Sequence, residues 1–429
     1  MFKIKAMTKP NNHSLDFVLR SAKFSPDTMN IVRQVLIAFI FVPFFFPTGL
    51  QYSSSFHYLF SALYYWRIAA AFVSLFLFAM YIFKSSVTTG AILFGVFGIW
   101  IFACTFLKNG SISSFFSSWG GFFCFYCGTI YFFKTFKRDF LLSLRNWLIF
   151  CAVINLITMI AYPNGLPLDN LIIINSDSKY VWFWSFKNSI CNLIIPLLAT
   201  AIYVSFLNVK YSKITLVVCV AISIVTSLLS HSSSLFFTII LLFVSLLLSR
   251  FRFFVKHFDI RIFGILGVVA SIAIVFFKAQ YLFPNIVEGL LGRDLSFTSR
   301  TLLWDYSIQD ILASPIFGYG VQTSSTFGLL RYSNSYSHCH NAILTLAYQS
   351  GILGGLLFFV FFLWSIFSSS KWRTDSTSKS LNYQIGCVLF AQLFIHITGS
   401  IGGCGYFLIL IMCAEPFLLN DQKANLRLQ

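Results

Sequence analysis

Charge is what this 429-residue chain has least of. Asp, Glu, Lys and Arg together make up 10% of it, where a soluble globular domain carries about 25%. Carboxylates are scarcest, with 13 Asp and Glu against 30 Lys and Arg. So sparse a polar complement excludes an ordinary water-soluble fold of this length. A disulfide framework is also missing. Of the ten cysteines, Cys104, Cys151, Cys191, Cys219, Cys387, Cys404 and Cys413 sit singly in or beside apolar runs, where Cys acts as a small hydrophobe. Cys124 and Cys127 form a CxxC inside an apolar run, a poor setting for redox or metal chemistry. No motif recurs at a fixed period, so a repeat architecture is not expected. The first thirty residues are polar and basic and lack an apolar h-region. A cleavable signal peptide is therefore not expected.

What fills the chain instead is apolar side chain: 58% of residues are hydrophobic, 54 of them Phe, and mean hydropathy is +0.80. Twelve apolar runs, most near the length of a bilayer-crossing helix, are legible at 31–47, 66–83, 88–107, 113–133, 142–162, 188–207, 214–230, 233–249, 262–279, 341–367, 382–398 and 403–419. In a bilayer only helices and closed barrels satisfy their own backbone. The pattern predicts an all-α polytopic membrane helix bundle of about 12 transmembrane helices, a single multi-pass domain over residues 1–429.

The net charge of +17 is a topology signal. With the amino terminus cytoplasmic, the inner loops carry Lys134, Lys137, Arg138 and Arg145; Lys210 and Lys213; Arg250, Arg252, Lys256 and Arg261; and Lys371, Arg373 and Lys379. That is the positive-inside bias. It predicts a cell (inner, cytoplasmic) membrane protein with both termini cytoplasmic and residues 280–340 external. The basic pI thus calls for a lipid bilayer as partner, and no nucleic acid is expected.

The 280–340 stretch is the longest polar interruption in the chain, and loops of that length are usually functional or disordered. Thr298 or Ser299 is placed to cap a helix starting near Arg300. Leu303, Trp304, Ser307, Ile308, Ile311 and Leu312 then form one stripe, with Asp305, Gln309 and Asp310 off it. This predicts a short amphipathic helix on the membrane surface or on the bundle, ending at Ser314-Pro315 and followed by a Gly318-Tyr319-Gly320 turn.

Arg300 stands at a helix start among Ser296, Thr298, Ser299 and Thr301. Helix N–H groups, an arginine fork and hydroxyls together suit a phosphate or diphosphate. Arg293 is placed to add a second fork. Ordinary ion pairs with Asp294 and Asp305 explain the two arginines equally simply. His340 enters a spanning helix from the polar loop, where an imidazole suits proton transfer from a sugar hydroxyl. Asn341 is placed to cap that helix or to orient the ring, and a capping role for His340 itself is the simpler alternative. His338 and His340 make a lone HxH, too little for a metal site; no metal or cofactor is expected. Arg67, Lys187, Lys278 and His396 fall near outer ends of predicted spans, either as functional groups or as snorkelling side chains.

Four segments in order bear a resemblance. Leu-Gly-Arg-Asp (291–294), Phe-Thr-Ser-Arg-Thr-Leu-Leu-Trp (297–304) and Ser-Pro-Ile-Phe-Gly-Tyr-Gly (314–320) resemble the long external loop of the O-antigen ligase/polymerase superfamily. His340-Asn341-Ala342-Ile343-Leu344 followed by Gly351-Ile352-Leu353-Gly354 does likewise, and Phe186-Lys187-Asn188 is similar to the family's Lys-Asn element. The arrangement looks closest to Wzy-type polymerases of capsular and exopolysaccharides. Two departures stand out: Ser299 occupies a position where the family often has Gly, and the 163–187 loop offers Lys179 and Lys187 where an arginine is usual.

The resemblance implies an integral-membrane glycosyltransferase that joins polyprenyl-diphosphate-linked repeat units into a surface polysaccharide, without a cofactor. It implies polyprenyl-diphosphate-linked glycan as donor and acceptor, with a flippase and a chain-length regulator as further partners. Arg300 would neutralise the leaving diphosphate, with Arg293 supporting it, and His340 would be the base. Lys187, Arg67, Asn341, Tyr319 and His338 are expected among the groups binding diphosphate or glycan. The alternatives are a ligase passing finished glycan to another acceptor and a transporter of the lipid-linked precursor.

Overall fold

In the computed structural model, residues 26–83, 85–166, 180–207, 209–290, 295, 300–323, 338–369, 373, 375–399, 401 and 403–414 are described. Among the described residues, each of the twelve apolar runs overlaps a helix. The helices are α1 (Pro26–Phe41), α2 (His57–Ile82), α3 (Thr89–Leu107), α4 (Gly121–Thr135), α5 (Lys137–Ala161), α6 (Cys191–Ser205), α7 (Ser212–Leu229), α8 (Ser233–Leu248), α9 (Ile260–Phe276), α10 (Arg300–Ala313), α11 (Ala342–Ser368), α12 (Ser376–His396) and α13 (Gly405–Ala414). A short turn at Ile112–Phe115 and a π-helical turn at Phe116–Gly120 lead into α4. Six helices, α2, α3, α5, α6 with its leading turn, α7 and α11, are long and apolar enough to cross a membrane. The shorter α1, α8, α9 and α13 are apolar as well. The chain is an all-α polytopic membrane bundle.

Helix starts follow from side-chain caps. Thr88 accepts from Ala91 N–H, Ser232 from Leu235, Asp259 from Arg261 and Ile262, Asn341 from Leu344, and Asp375 from Ser378. Each satisfies a donor that the first helical turn leaves without an intrahelical partner.

The centre of the bundle is α6, α12 and α13. All ten residues of α13 are buried, and α6 is buried from Leu193 to Val204. Around it, aromatic rings supply much of the packing. Phe94 of α3 stacks on Phe361 of α11 and Phe407 of α13, with centroids 5.0 and 4.9 Å away. Phe41 of α1 meets Phe125 and Phe140 edge-on. Such pairs add about 0.5–1.5 kcal/mol beyond area burial. The outer faces of α2, α3, α7 and α11 expose Phe72, Phe76, Ile99, Val217 and Leu356, a surface that only lipid tolerates.

Many basic residues gather at one end. The turns α4–α5, α6–α7, α8–α9 and α11–α12 and the helix ends that flank them hold Lys134, Lys137, Lys210, Arg250, Arg252 and Arg373. Scarce carboxylates pin this end together. Asp139 accepts from Arg33 at 2.9 Å, and Asp259 takes Arg261 at 2.7 Å and also Arg373. Helix α5 starts earlier than the predicted run, so Arg138 and Arg145 lie within it and not in a loop. Helix α2 also starts earlier, which makes Arg67 its eleventh residue. At 1.5 Å per residue that is about 15 Å from the helix start, so Arg67 is not at the outer end of the span as the run at 66–83 suggested.

Candidate active site

The end of the bundle opposite the basic turns carries the polar stretch. Helix α10 is described from Arg300 and ends at Ala313. It lies on the bundle. Leu303 and Trp304 are fully buried with Val275 of α9, Leu344 and Tyr348 of α11, and Ile397 after α12. This satellite cluster, separate from the main core, fixes α10 on the ends of three spanning helices. The buried face differs from the predicted stripe at its far end: Asp310 is buried and Leu312 is exposed. The reason is the following turn. Ser314 N–H returns to Asp310 O, and the Tyr319 hydroxyl donates to the same carbonyl at 3.2 Å. Residue 310 is thereby held inside, and residue 312 faces out.

The Gly318-Tyr319-Gly320 turn is seated in a break in α11. Gly351 has φ +69° and ψ 178°, which interrupts the helix. A non-glycine residue rarely adopts that conformation, and a Cβ there would collide with the Ile316 carbonyl. Carbonyls of the broken turn are taken by protein donors: Tyr348 O by Tyr319 N–H at 2.8 Å, Gln349 O by Gly320 N–H at 3.0 Å, and Ser350 O by the Trp100 indole at 2.9 Å. In return Ile352 N–H donates to Pro315 O at 2.7 Å. Tyr319 also stacks on Tyr348, with centroids 4.8 Å apart. Irregular backbone at this depth persists because its polar groups are satisfied by protein.

Against this frame lie Arg300, His338 and His340. Cys339 is fully buried between the histidines and anchors them in the satellite cluster. His340 has φ +48°, the left-handed region, which costs a non-glycine residue about 1–2 kcal/mol. Its N–H donates to His338 Nδ1 at 2.9 Å, and the two rings are 4.1 Å apart. A neutral His338 therefore carries its hydrogen on Nε2. Burial lowers the titration of both rings, to about 4 for His338 and about 2 for His340. Repulsion by the Arg300 guanidinium acts on both, and His340 is also repelled by His338. The Arg300 charge is thus near enough to disfavour protonation of both imidazoles. The N-terminus of α11, immediately after His340, adds its partial positive charge.

Asn341 is fully buried. Its Oδ1 caps α11 through Leu344 N–H at 2.9 Å, and its Nδ2 donates to Ile397 O at 3.0 Å. Its amide ties α11 to the end of α12, so it holds His340 in place from below. Asp305 pairs with Lys278 at 2.8 Å, while Asp294, the other carboxylate of the ion-pair reading, lies outside the described residues. Arg293 and Thr298, Ser299, Tyr332, Asn334, Ser335, Tyr336 and Ser337 lie outside the described residues.

Lys187 belongs to a neighbouring cluster. It is buried in the turn before α6, with Nζ 5.1 Å from the centre of the Tyr180 ring. His231 packs on the other contact of that ring at 5.0 Å, and Asn188 accepts from Ser232 at 3.0 Å. Sequence reading passed over His231 and Ser232. The signal was available in Ser230-His231-Ser232-Ser233-Ser234, a polar knot between two apolar runs. This cluster connects to the first through α8 and α12, where Phe237 meets Phe394 three residues before Ile397. Arg67 stands apart: its Nη2 donates to Ser117 O at 3.0 Å, on the side of α2 and α4.

Comparison with known proteins fits this arrangement. A family model described as O-antigen ligase (Wzy_C) matches residues 217–359, from α7 into α11, which includes Arg300, His338 and His340 but neither Lys187 nor Arg67. Over 147 residues the chain is 23% identical to the exopolysaccharide production protein ExoQ of Rhizobium meliloti (strain 1021). That stretch is 31% of this chain and spans about a third, 33%, of the length of that relative. Residues 217–359 thus match an O-antigen ligase family model, a similarity consistent with the O-antigen ligase/polymerase superfamily.

Proposed function

We propose that this protein is a repeat-unit polymerase. It transfers a growing glycan from one polyprenyl diphosphate onto a hydroxyl of the next lipid-linked unit, on the outer side of the cell membrane. The observation that supports the reading is the His338–His340 pair, its rings 4.1 Å apart at the α11 N-terminus and at the end of the bundle away from the basic turns, with the Arg300 charge near enough to disfavour protonation of both. The positive-inside bias supports reading that end as external.

In the reaction the acceptor oxygen bonds to the anomeric carbon, and the bond from that carbon to the diphosphate oxygen breaks. Negative charge develops on the diphosphate, and Arg300 stabilises it, a role in which Arg293 is expected to support it. The acceptor proton passes to His340. Without a bound anion that imidazole is a weak base, because burial, His338 and Arg300 all disfavour its charged form. A diphosphate against Arg300 cancels one of those repulsions and adds an attraction. The ring therefore gains proton affinity as the donor binds. Tyr319, with its hydroxyl held by Asp310 O, and Lys187 offer contacts to glycan and phosphate at the rim.

A transporter is disfavoured by the break in α11. Transporters use unwound helix carbonyls to coordinate cargo, whereas those of Tyr348, Gln349 and Ser350 are bonded to this protein's own donors. The test is reconstitution of the full chain in vesicles with lipid-linked repeat units, read by electrophoresis of the glycan. A ladder of polymer on the carrier supports the proposal. Transfer only to a second, non-polyprenyl acceptor makes it a ligase, and movement of units without new glycosidic bonds makes it a transporter.

A further inference from the structure

A groove of about 860 Å³ runs between α2, α3 and the turns leading into α4. Ligand cavities span about 300–1,000 Å³, so this one is large. Its walls are apolar, formed by residues such as Phe72, Ile99 and Phe116, and its floor is opened by Gly95 and Gly98. The π-helical turn at Phe116–Gly120 widens one wall; such turns often mark functional sites. One cation lines it. Arg67 is half-buried, and its guanidinium donates to the Ser117 carbonyl at 3.0 Å. None of the ion pairs among the described residues includes it. An arginine within a span is costly without an anionic or polar role. A single hydrogen bond to one carbonyl leaves most of its five donors to other work. Ser113 and Ser117 stand at the rim.

The groove is coupled to the reacting end. Trp119, in its back wall, donates to the Gln349 side chain of α11 at 3.0 Å. Gln349 lies eight residues after Asn341, about 12 Å along the helix. A chain lying in the groove with its head at the rim is therefore within a few sugar lengths of His340, yet outside the Arg300 pocket.

We infer that this groove holds the isoprenoid tail of the second lipid-linked substrate, the acceptor polyprenyl diphosphate, with Arg67 contacting its phosphate. The inference rests on the polymerase reading, in which two lipid tails are present at once and need separate lanes. Apolar walls with a lone arginine match an anionic head on a long hydrocarbon chain, and the depth of Arg67 in α2 favours a lipid over a soluble anion.

The test uses the full chain in nanodiscs and a diazirine-bearing polyprenyl diphosphate, with the cross-linked peptides mapped. The expected result is labelling of α2, α3 and the 112–124 segment, displaced by unlabelled polyprenyl diphosphate. A Cβ on Gly98 meets nothing within 4 Å, so Gly98→Trp fills the groove without a backbone clash and should cut labelling about tenfold, the effect of losing one apolar subsite. Gly98→Leu, a smaller plug, should cut it less and covers the case in which Trp prevents folding. Arg67→Ala should lower the preference for diphosphate over the plain polyprenol about tenfold, the worth of one charge-assisted hydrogen bond, and Arg67→Lys should restore part of it. Equal displacement by phosphatidylglycerol, equal labelling by polyprenol in the unaltered protein, or indifference to both Gly98 variants overturns the inference. Labelling needs no turnover. Intact groove labelling in a chain that makes no polymer leaves the groove standing and sinks only the reaction; intact polymer with no groove labelling does the reverse.

Discussion

The backbone N–H of His340 donates to Nδ1 of His338 at 2.9 Å while its own φ is held at +48°. One bond thus sets the hydrogen position on one imidazole and the direction of the other. The strained residue sits between a fully buried Cys339 and the buried cap Asn341, which together over-determine its conformation. Strain of this kind persists where surrounding structure enforces it, and it concentrates at functional sites.

His340→Asn is the sharpest test of the base. Asn tolerates the left-handed region better than other non-glycine residues, so this variant keeps the turn and removes the proton acceptor. Polymer formation should fall about 10²–10⁴-fold, with protein level and donor binding retained. Glycan electrophoresis after reconstitution measures it, and near-wild-type ladders would leave His340 with a purely conformational role.

Arg300→Lys retains the charge and loses the fork, so transfer should slow about tenfold or more, and Arg300→Ala should slow it further. The same Ala variant should raise the proton affinity of both imidazoles, since Arg300 repels their charged forms. Diethylpyrocarbonate modification against pH reads this second effect. Full activity in Arg300→Ala would reject the diphosphate role.

Acid should loosen this end of the protein. His338 titrates at about 4 in the fold against an ordinary 6.5, so between those values the unfolded chain binds more protons than the native one. Its contribution to stability is fully present above pH 6.5, declines as pH falls, and is gone below about 4. The thermal midpoint of the purified protein should drop across that window. His338→Gln, which keeps an acceptor for His340 N–H, should drop less. Parallel pH curves for the two proteins would assign the acid sensitivity elsewhere.

Gly351→Ala should destabilise the 314–320 turn by about 2 kcal/mol or more, because it combines a strained φ with a clash against the Ile316 carbonyl. Protease cutting within 300–323 should accelerate while the rest of the bundle resists. A variant as resistant as the parent would mean that α11 can heal its break.

Helix positions were legible in the sequence because a bilayer demands long apolar runs and little else competes with that requirement. The twelve runs, a helix through 300–313, its stop at Ser314-Pro315 and the glycine turn beyond all follow from composition and punctuation close in sequence. Arg300 and His340 were legible as candidates for the same reason, being polar residues at helix starts in a chain with few polar residues. What the tertiary structure alone decided is which distant groups meet. Tyr319 reaches back to the carbonyl of the buried Asp310, and Asp305 meets Lys278 from the end of α9. The break at Gly351 exists because another loop supplies its missing hydrogen bonds. Arg67 faces a groove because α2 begins nine residues before its apolar run. Apolar periodicity records whether a residue faces out of water; it carries no record of which neighbour it faces, and the chemistry of this site depends on the neighbours.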